Sequence, residues 1–213
     1  MLKIKVFVFN PVQENTYLLY DETKEAVIID CGAQTDNEKK RLSDFISETG
    51  LTLKHVLNTH LHFDHIMGND YLFETYGLRP EYNQKDEGIP GLKEGIIKFG
   101  IATFKCPFIF AEQYLEDGAV ILFGNTRLKA IATPGHSPGS LSFYSEQDAC
   151  VFTGDALFRY NIGRTDLWGG NFEELIHSIE TKLFTLPSDT IVYPGHEETS
   201  SIGEEIKHNP YTS

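Results

Sequence analysis

Seven consecutive residues, Thr59-His60-Leu61-His62-Phe63-Asp64-His65, hold three imidazoles and one carboxylate. Neutral imidazole nitrogen and carboxylate oxygen are good ligands for divalent zinc, iron and manganese. His60 and His62 are two apart, so in extended backbone both side chains leave the same face. Asp64 and His65 then turn away, which suits a second, neighbouring ion. A solvated polar loop would also tolerate such residues, but the same ligand types recur three times downstream. His136 stands in Thr-Pro-Gly-His-Ser-Pro-Gly, Asp155 in Phe-Thr-Gly-Asp and His196 in Tyr-Pro-Gly-His. Alone, His136 reads as a capping residue and Asp155 as a turn former. Together the segments supply five His and two Asp, a set large enough for two cations.

Strands must deliver these side chains, because each cluster follows a β-rich run and sits beside glycine or proline. Residues 3–9 and 15–20 alternate, and 25–30 form an apolar run. Residues 56–58 open the His60 loop, and a helix is expected over 66–76. Further strands are expected over 119–123, 127–133, 141–144, 149–153 and 190–193. Leu42, Phe45 and Ile46 form a helical stripe within 38–49, closed by Gly50. Leu175, Ile176, Ile179 and Leu183 form another within 172–184. Residues 81–107 show no clean period; they read as an irregular excursion of the kind that forms lids, with a helix near 91–99. Two strand clusters, each followed by helices, predict two packed sheets with helices outside.

The chain has 213 residues and is read as one domain over 1–213. A net charge of −13 argues against nucleic-acid partners and against anionic lipid. No run approaches the roughly 20 apolar residues of a membrane helix. The opening residues alternate as a strand and lack a small-residue cleavage site, so they do not read as a signal peptide. Cys31, Cys106 and Cys150 are odd in number and widely spaced. They predict buried free thiols in a reducing, cytoplasmic setting.

The four motifs, in order, resemble those of the metallo-β-lactamase fold superfamily, with Thr59–His65 matching its T-H-x-H-x-D-H signature. Pro11-Val12-Gln13-Glu14-Asn15-Thr16-Tyr17 resembles the opening of glyoxalase II-like members, the hydroxyacylglutathione hydrolases. Gly163-Arg164-Thr165-Asp166 and the segment Gly203-Glu204-Glu205 with His208-Asn209-Pro210 resemble the short bacterial branch of that group. The resemblance implies an α/β fold, a four-layer αβ/βα sandwich of two mixed sheets, without the C-terminal helical domain that grips glutathione. It implies a first metal on His60, His62 and His136, a second on Asp64, His65 and His196, and Asp155 bridging both. Zinc is the expected metal, with iron or manganese as alternatives.

Two such cations share and acidify a water that attacks an acyl carbonyl, while stabilising the oxyanion and the leaving thiolate. Asp64 and Asp155 are the carboxylates placed in the catalytic machinery; with one metal, Asp64 would instead orient or deprotonate the water. The implied reaction is hydrolysis of S-D-lactoylglutathione or a related small thioester. Arg164, Tyr160 and Asp166 are the candidate substrate contacts, with Arg164 suited to a substrate carboxylate or to Asp166 itself. Asp166 and Glu198 stand where the larger enzymes carry tyrosines, so the resemblance carries thioester hydrolysis further than glutathione recognition. Asn161 and Trp168 lie in the same loop as Tyr160 and are expected near the pocket. Phe99, Phe104, Phe108, Phe110 and Tyr114 are expected to pack, and His55, His177 and His208 to be structural or exposed. The chain also resembles persulfide dioxygenases, which share the Gly-Arg-Thr-Asp stretch and hold one Fe(II). There His60, His136 and Asp155 would form the facial triad. A β-lactamase and a non-enzymatic binding protein are the remaining readings.

Overall fold

Strand β1 (Lys3–Phe9) pairs antiparallel with β2 (Glu14–Tyr20), which pairs with β3 (Glu25–Ile29). A computed structural model describes residues 1–99, 102–105 and 107–212; Cys106 and the side chain of Phe99 lie outside the described residues. Strand β4 (Thr52–Leu57) joins parallel to β3, and β5 (Pro80–Glu81) forms the edge. Parallel neighbours need a crossover, supplied here by α1 (Asp36–Thr49). Thr35 and Glu38 cap each other's backbone at its start, and Gly50 ends it at φ +68°.

Residues 66–76 are not one helix. The structure has a single turn, α2 (Phe63–Ile66), then α3 (Asn69–Tyr76). Gly68 separates them because it lies against Cys31: a Cβ there would stand 2.3 Å from Cys31 Sγ. The helix expected near 91–99 is also absent. Gly91 and Gly95 take φ of +79° and +67°, which a helix does not allow. The chain then forms a hairpin of β6 (Ile96–Phe99) and β7 (Ala102–Lys105), which pairs with neither main sheet.

The second sheet begins with β8 (Val120–Phe123), β9 (Thr126–Ala132), β10 (Leu141–Ser145) and β11 (Cys150–Gly154). A short pair follows, β12 (Leu157–Phe158) and β13 (Asn161–Ile162). Strand β14 (Ile191–Pro194) then joins parallel to β11, and β15 (Ser200–Ser201) forms the edge. Helix α4 (Phe172–Ser178) continues into a wider π turn over Ile179–Leu183, and α5 (Ile202–His208) follows β15.

Alternating side chains sort these elements into layers. Val27, Ile29 and Leu57 meet Leu128, Phe143 and Phe152 between the sheets. Ala26, Ile28 and Val56 turn outward onto Leu42, Ile46 and Leu72 of the helices. Val151 and Val192 do the same against Leu175, Ile179 and Ile202. The result is an α/β sandwich of two mixed sheets flanked by helices. A smaller cluster of Leu61, Phe63, Tyr82, Ile89 and Ile97 fixes the excursion over the His60 loop. Among the described residues no helix is long and apolar enough to cross a membrane.

Candidate metal centre

The segments ending β4, β9, β11 and β14 converge at one edge of the sandwich, and each carries its motif side chain there. His60 Nε2, His62 Nδ1 and His136 Nε2 form one group, with His62 Nδ1 2.8 Å and His60 Nε2 3.3 Å from His136 Nε2. Asp64 Oδ2, His65 Nε2 and His196 Nε2 form a second, with Asp64 3.5 Å from His65 and 3.1 Å from His196. Asp155 stands between them. Its Oδ2 lies 3.5 Å from His136 Nε2, while Oδ1 lies 3.4 Å from His65 Nε2 and 3.7 Å from His196 Nε2.

This arrangement fits a pair of cations. Three ring nitrogens aimed at one another cannot all donate, and they offer lone pairs that a cation satisfies. His65 Nε2 and Asp155 Oδ1 are buried without a hydrogen-bond partner among the described residues, and buried polar atoms are rarely left so. The charge states fit too. Burial, then the neighbouring His65, His62 and His136 imidazoles, holds His60 well below the usual histidine range. Burial and His136 lower His62 to about 3. Burial works against ionised Asp155, but His65 outweighs it and keeps that carboxyl well below its ordinary value. Burial likewise opposes ionised Asp64, which His65 and His196 nonetheless hold low. Neutral imidazoles and ionised carboxylates are the forms that bind metal. Burial opposes protonated His65 and His196, but Asp64 and Asp155 raise both above the ordinary histidine value. They give up that proton when a cation takes its place.

The ring nitrogens facing away are anchored. His65 Nδ1 lies 2.9 Å from Asp30 Oδ2, His136 Nδ1 2.7 Å from the Arg164 carbonyl, and His60 Nδ1 3.0 Å from Thr59 Oγ1. His196 Nδ1 lies 3.1 Å from the Val12 carbonyl. Partners of this kind fix ring orientation and tautomer. The opening motif proves to be a brace: Asn15 N donates to Gly195 O, Tyr17 Oη to Pro194 O, and Asn10 Nδ2 to Asp64 O. Asn10 and Gln13 take positive φ to make this turn.

Two carboxylates that the sequence did not single out hold the Thr59–His65 loop. Asp30 accepts from Thr59 N and Thr59 Oγ1 as well as facing His65. Asp86, from the excursion, accepts from Leu61 N, Ser137 Oγ and Gly139 N, at 3.0, 2.8 and 2.5 Å. It thereby joins the His60 loop to the His136 loop. Gly139 is required there, since a Cβ would lie 2.6 Å from Asp86 Oδ1. Asp30 follows an apolar run and precedes Cys-Gly, a faint signal of a strand-end ligand loop; Asp86 carries none.

In front of the ligands lies a cavity of about 340 Å³, walled by Val12, Phe63, Ile89, Ile97, Leu167 and Trp168. Arg164 and Lys98 also line it. Arg164 makes a two-pronged pair with Asp166, Nε to Oδ1 at 2.7 Å and Nη2 to Oδ2 at 2.8 Å. Trp168 reaches the cavity as expected, but Tyr160 does not line it. The Tyr160 backbone turns at φ +58°, its hydroxyl donates to Glu204 and its N–H to buried Glu205. Asp166 is likewise not among the lining residues and faces Arg164. Asn161 serves α5, its carbonyl accepting from Asn209. His55 pairs with Glu81, away from the centre.

Comparison with known proteins matches residues 9–196 to the metallo-beta-lactamase superfamily. The chain is 34% identical to hydroxyacylglutathione hydrolase GloC of Haemophilus influenzae, over 99% of this chain and 98% of that protein. It is 37% identical to the human mitochondrial persulfide dioxygenase ETHE1, over 95% of this chain and 73% of that protein. Among solved structures, the BLEG-1 B3 metallo-beta-lactamase superposes with a TM-score of 0.87 at 33% identity, covering 99% of this chain and 100% of that one. A di-iron-bound form of TTHA1623 superposes at 0.80 and 33% identity, covering 97% and 99%. With its motifs, its sandwich and these likenesses in agreement, the chain belongs to the metallo-beta-lactamase superfamily.

Proposed function

We propose that the protein is a two-metal hydrolase of small acyl thioesters, of the glyoxalase II-like kind. The observation that carries this reading is the second ligand group. Asp64, His65 and His196 are gathered as tightly as His60, His62 and His136, and Asp155 offers one oxygen to each group. Two divalent cations, zinc or iron, would supply polarisation of the acyl carbonyl and a water acidified toward neutral pH. The chain's own residues do the rest. Asp64 and Asp155 remain ionised beside the reacting centre, where either accepts a hydrogen bond from water. The apolar wall keeps bulk solvent from the acyl group and strengthens the charges inside. Among the described residues no serine, threonine or cysteine lines the cavity. Ser137 is buried and donates to Asp86, burial pushes the Cys31 thiol up, and Cys150 is pushed up to about 12.

Persulfide oxygenation is the second reading, favoured by the likeness to ETHE1, and would use His60, His136 and Asp155 alone. Metal analysis of protein purified without chelator, with a thioester panel that includes S-D-lactoylglutathione, tests the first. Two metals per chain and thioester turnover without oxygen uptake are expected. One iron per chain with oxygen consumed on glutathione persulfide would replace the hydrolase with the dioxygenase. A cytoplasmic location follows the same reading, since glutathione-linked thioesters belong to reducing compartments.

A further inference from the structure

Two cations, Arg164 and Lys98, line the cavity, and they are not equivalent. Arg164 is held by Asp166 in a two-pronged pair. Lys98 lies on the β6–β7 hairpin, lines the same cavity as His62, Asp64, Asp155 and His196, and has no carboxylate partner among the described residues. Apolar side chains share the wall with it: Ile97 on its own strand, and Ile89 and Pro90. The hairpin pairs with neither main sheet, but Phe104 of β7 stacks on Phe63 of the His60 loop, centroids 4.1 Å apart and planes 15° from parallel. That stack fixes the hairpin to the ligand loop and so sets where Lys98 stands relative to the metals.

The cavity of about 340 Å³ is near the small end of ligand sites, roughly 300–1,000 Å³. It has room for an acyl group and the thioester, leaving the thiol carrier to pass out through the mouth. On a chain of net charge −13 an anion is repelled except where a local cation focuses it. We propose that Lys98 is a specificity-determining residue that selects thioesters on an anionic thiol carrier by pairing with its carboxylate or phosphate. The acyl group is read by the apolar wall and the carrier by Lys98. This rests on the thioester-hydrolase reading only for the identity of the carrier as a thiol.

The test separates the two. Binding of the non-hydrolysable thioethers S-hexylglutathione, its diethyl ester and S-hexyl-coenzyme A to metal-loaded full-length protein is measured by calorimetry. These probes carry carboxylates, no carboxylate, and phosphates. Wild type is expected to bind at least one anionic probe more tightly than the ester, and which one names the carrier anion. Lys98→Gln should weaken that probe about five- to tenfold and leave the ester unchanged, as loss of one charge-assisted contact at a partly open site would. Lys98→Arg should restore it. Lys105→Gln, on the partner strand of the same hairpin, should change neither. Equal binding of ester and anions by wild type, an equal loss of both in Lys98→Gln, or no binding of any probe would overturn the inference. Failure of every thioester to turn over, with charge discrimination intact in this titration, would remove the hydrolase reading and leave Lys98 as the anion selector.

Discussion

The ligand cage and the cavity mouth are built on opposite principles. In the cage, four of the five imidazoles have their outward nitrogen anchored, by Thr59, Asp30, the Arg164 carbonyl or the Val12 carbonyl. The braces Asp30 and Asp86 are each 1% exposed. At the mouth Arg164 is held by an open ion pair with Asp166. Buried, fully bonded networks hold one geometry, whereas exposed pairs contribute little and move easily. The chemistry therefore sits on rigid strand ends and recognition on elements free to vary.

That contrast can be broken in order of expected effect. Asp155→Ala removes the oxygens shared by both ligand groups; metal content should fall at both, with activity down more than about a hundredfold. Retention of two metals per chain by elemental analysis would refute the shared role. Asp86→Ala removes a carboxylate that accepts three hydrogen bonds and does not line the cavity. It should cost about 3 kcal/mol in denaturation and weaken metal binding roughly ten- to a hundredfold. A variant as stable as the parent would show that the loops hold themselves. Asp30→Asn should weaken binding by the Asp64, His65 and His196 group about tenfold and the other group less, measured by stepwise metal titration. Trp168→Ala at the mouth should raise KM several-fold with metal content and kcat unchanged, since it removes only apolar wall.

His55 supplies a control remote from both regions. The hydrogen bond that His55 donates to Glu81 raises its pKa, with burial opposing, so the folded state holds the proton more tightly than the unfolded chain. That contribution is full below the unfolded value of about 6.5 and is lost as pH rises through the folded value. Wild type should therefore exceed His55→Asn in stability by about 1 kcal/mol near pH 6, and the gap should close in alkaline solution. Denaturant titrations at the two pH values measure it. Metal binding should be unaffected.

The same contrast decided what could be read from the sequence. The cage was legible because His60, His62, Asp64, His65, His136, Asp155 and His196 sit at strand ends with glycine or proline beside them, and metal chemistry restricts residue type. Strands β3 and β11 were legible because burial on both faces demands apolar runs. The braces were less visible. Asp86 comes from a stretch without period, and its role exists only once Leu61, Ser137 and Gly139 surround it. The expected helix near residues 91–99 failed because two glycines with positive φ outweigh the apolar spacing. Tyr160 looked like a pocket residue by position, but buried Glu205 on α5 captures its backbone N–H and turns the side chain away.

The β6–β7 hairpin shares no backbone ladder with either sheet and meets the His60 loop through side chains, Phe104 stacked on Phe63 and Ile97 packed in the same apolar cluster. A segment attached this way can be lengthened, recharged or exchanged without disturbing a strand register or a ligand. It is a natural grafting point. Transplanting another hairpin behind a retained Phe104 should redirect the cage toward a different carrier while its reaction stays the same.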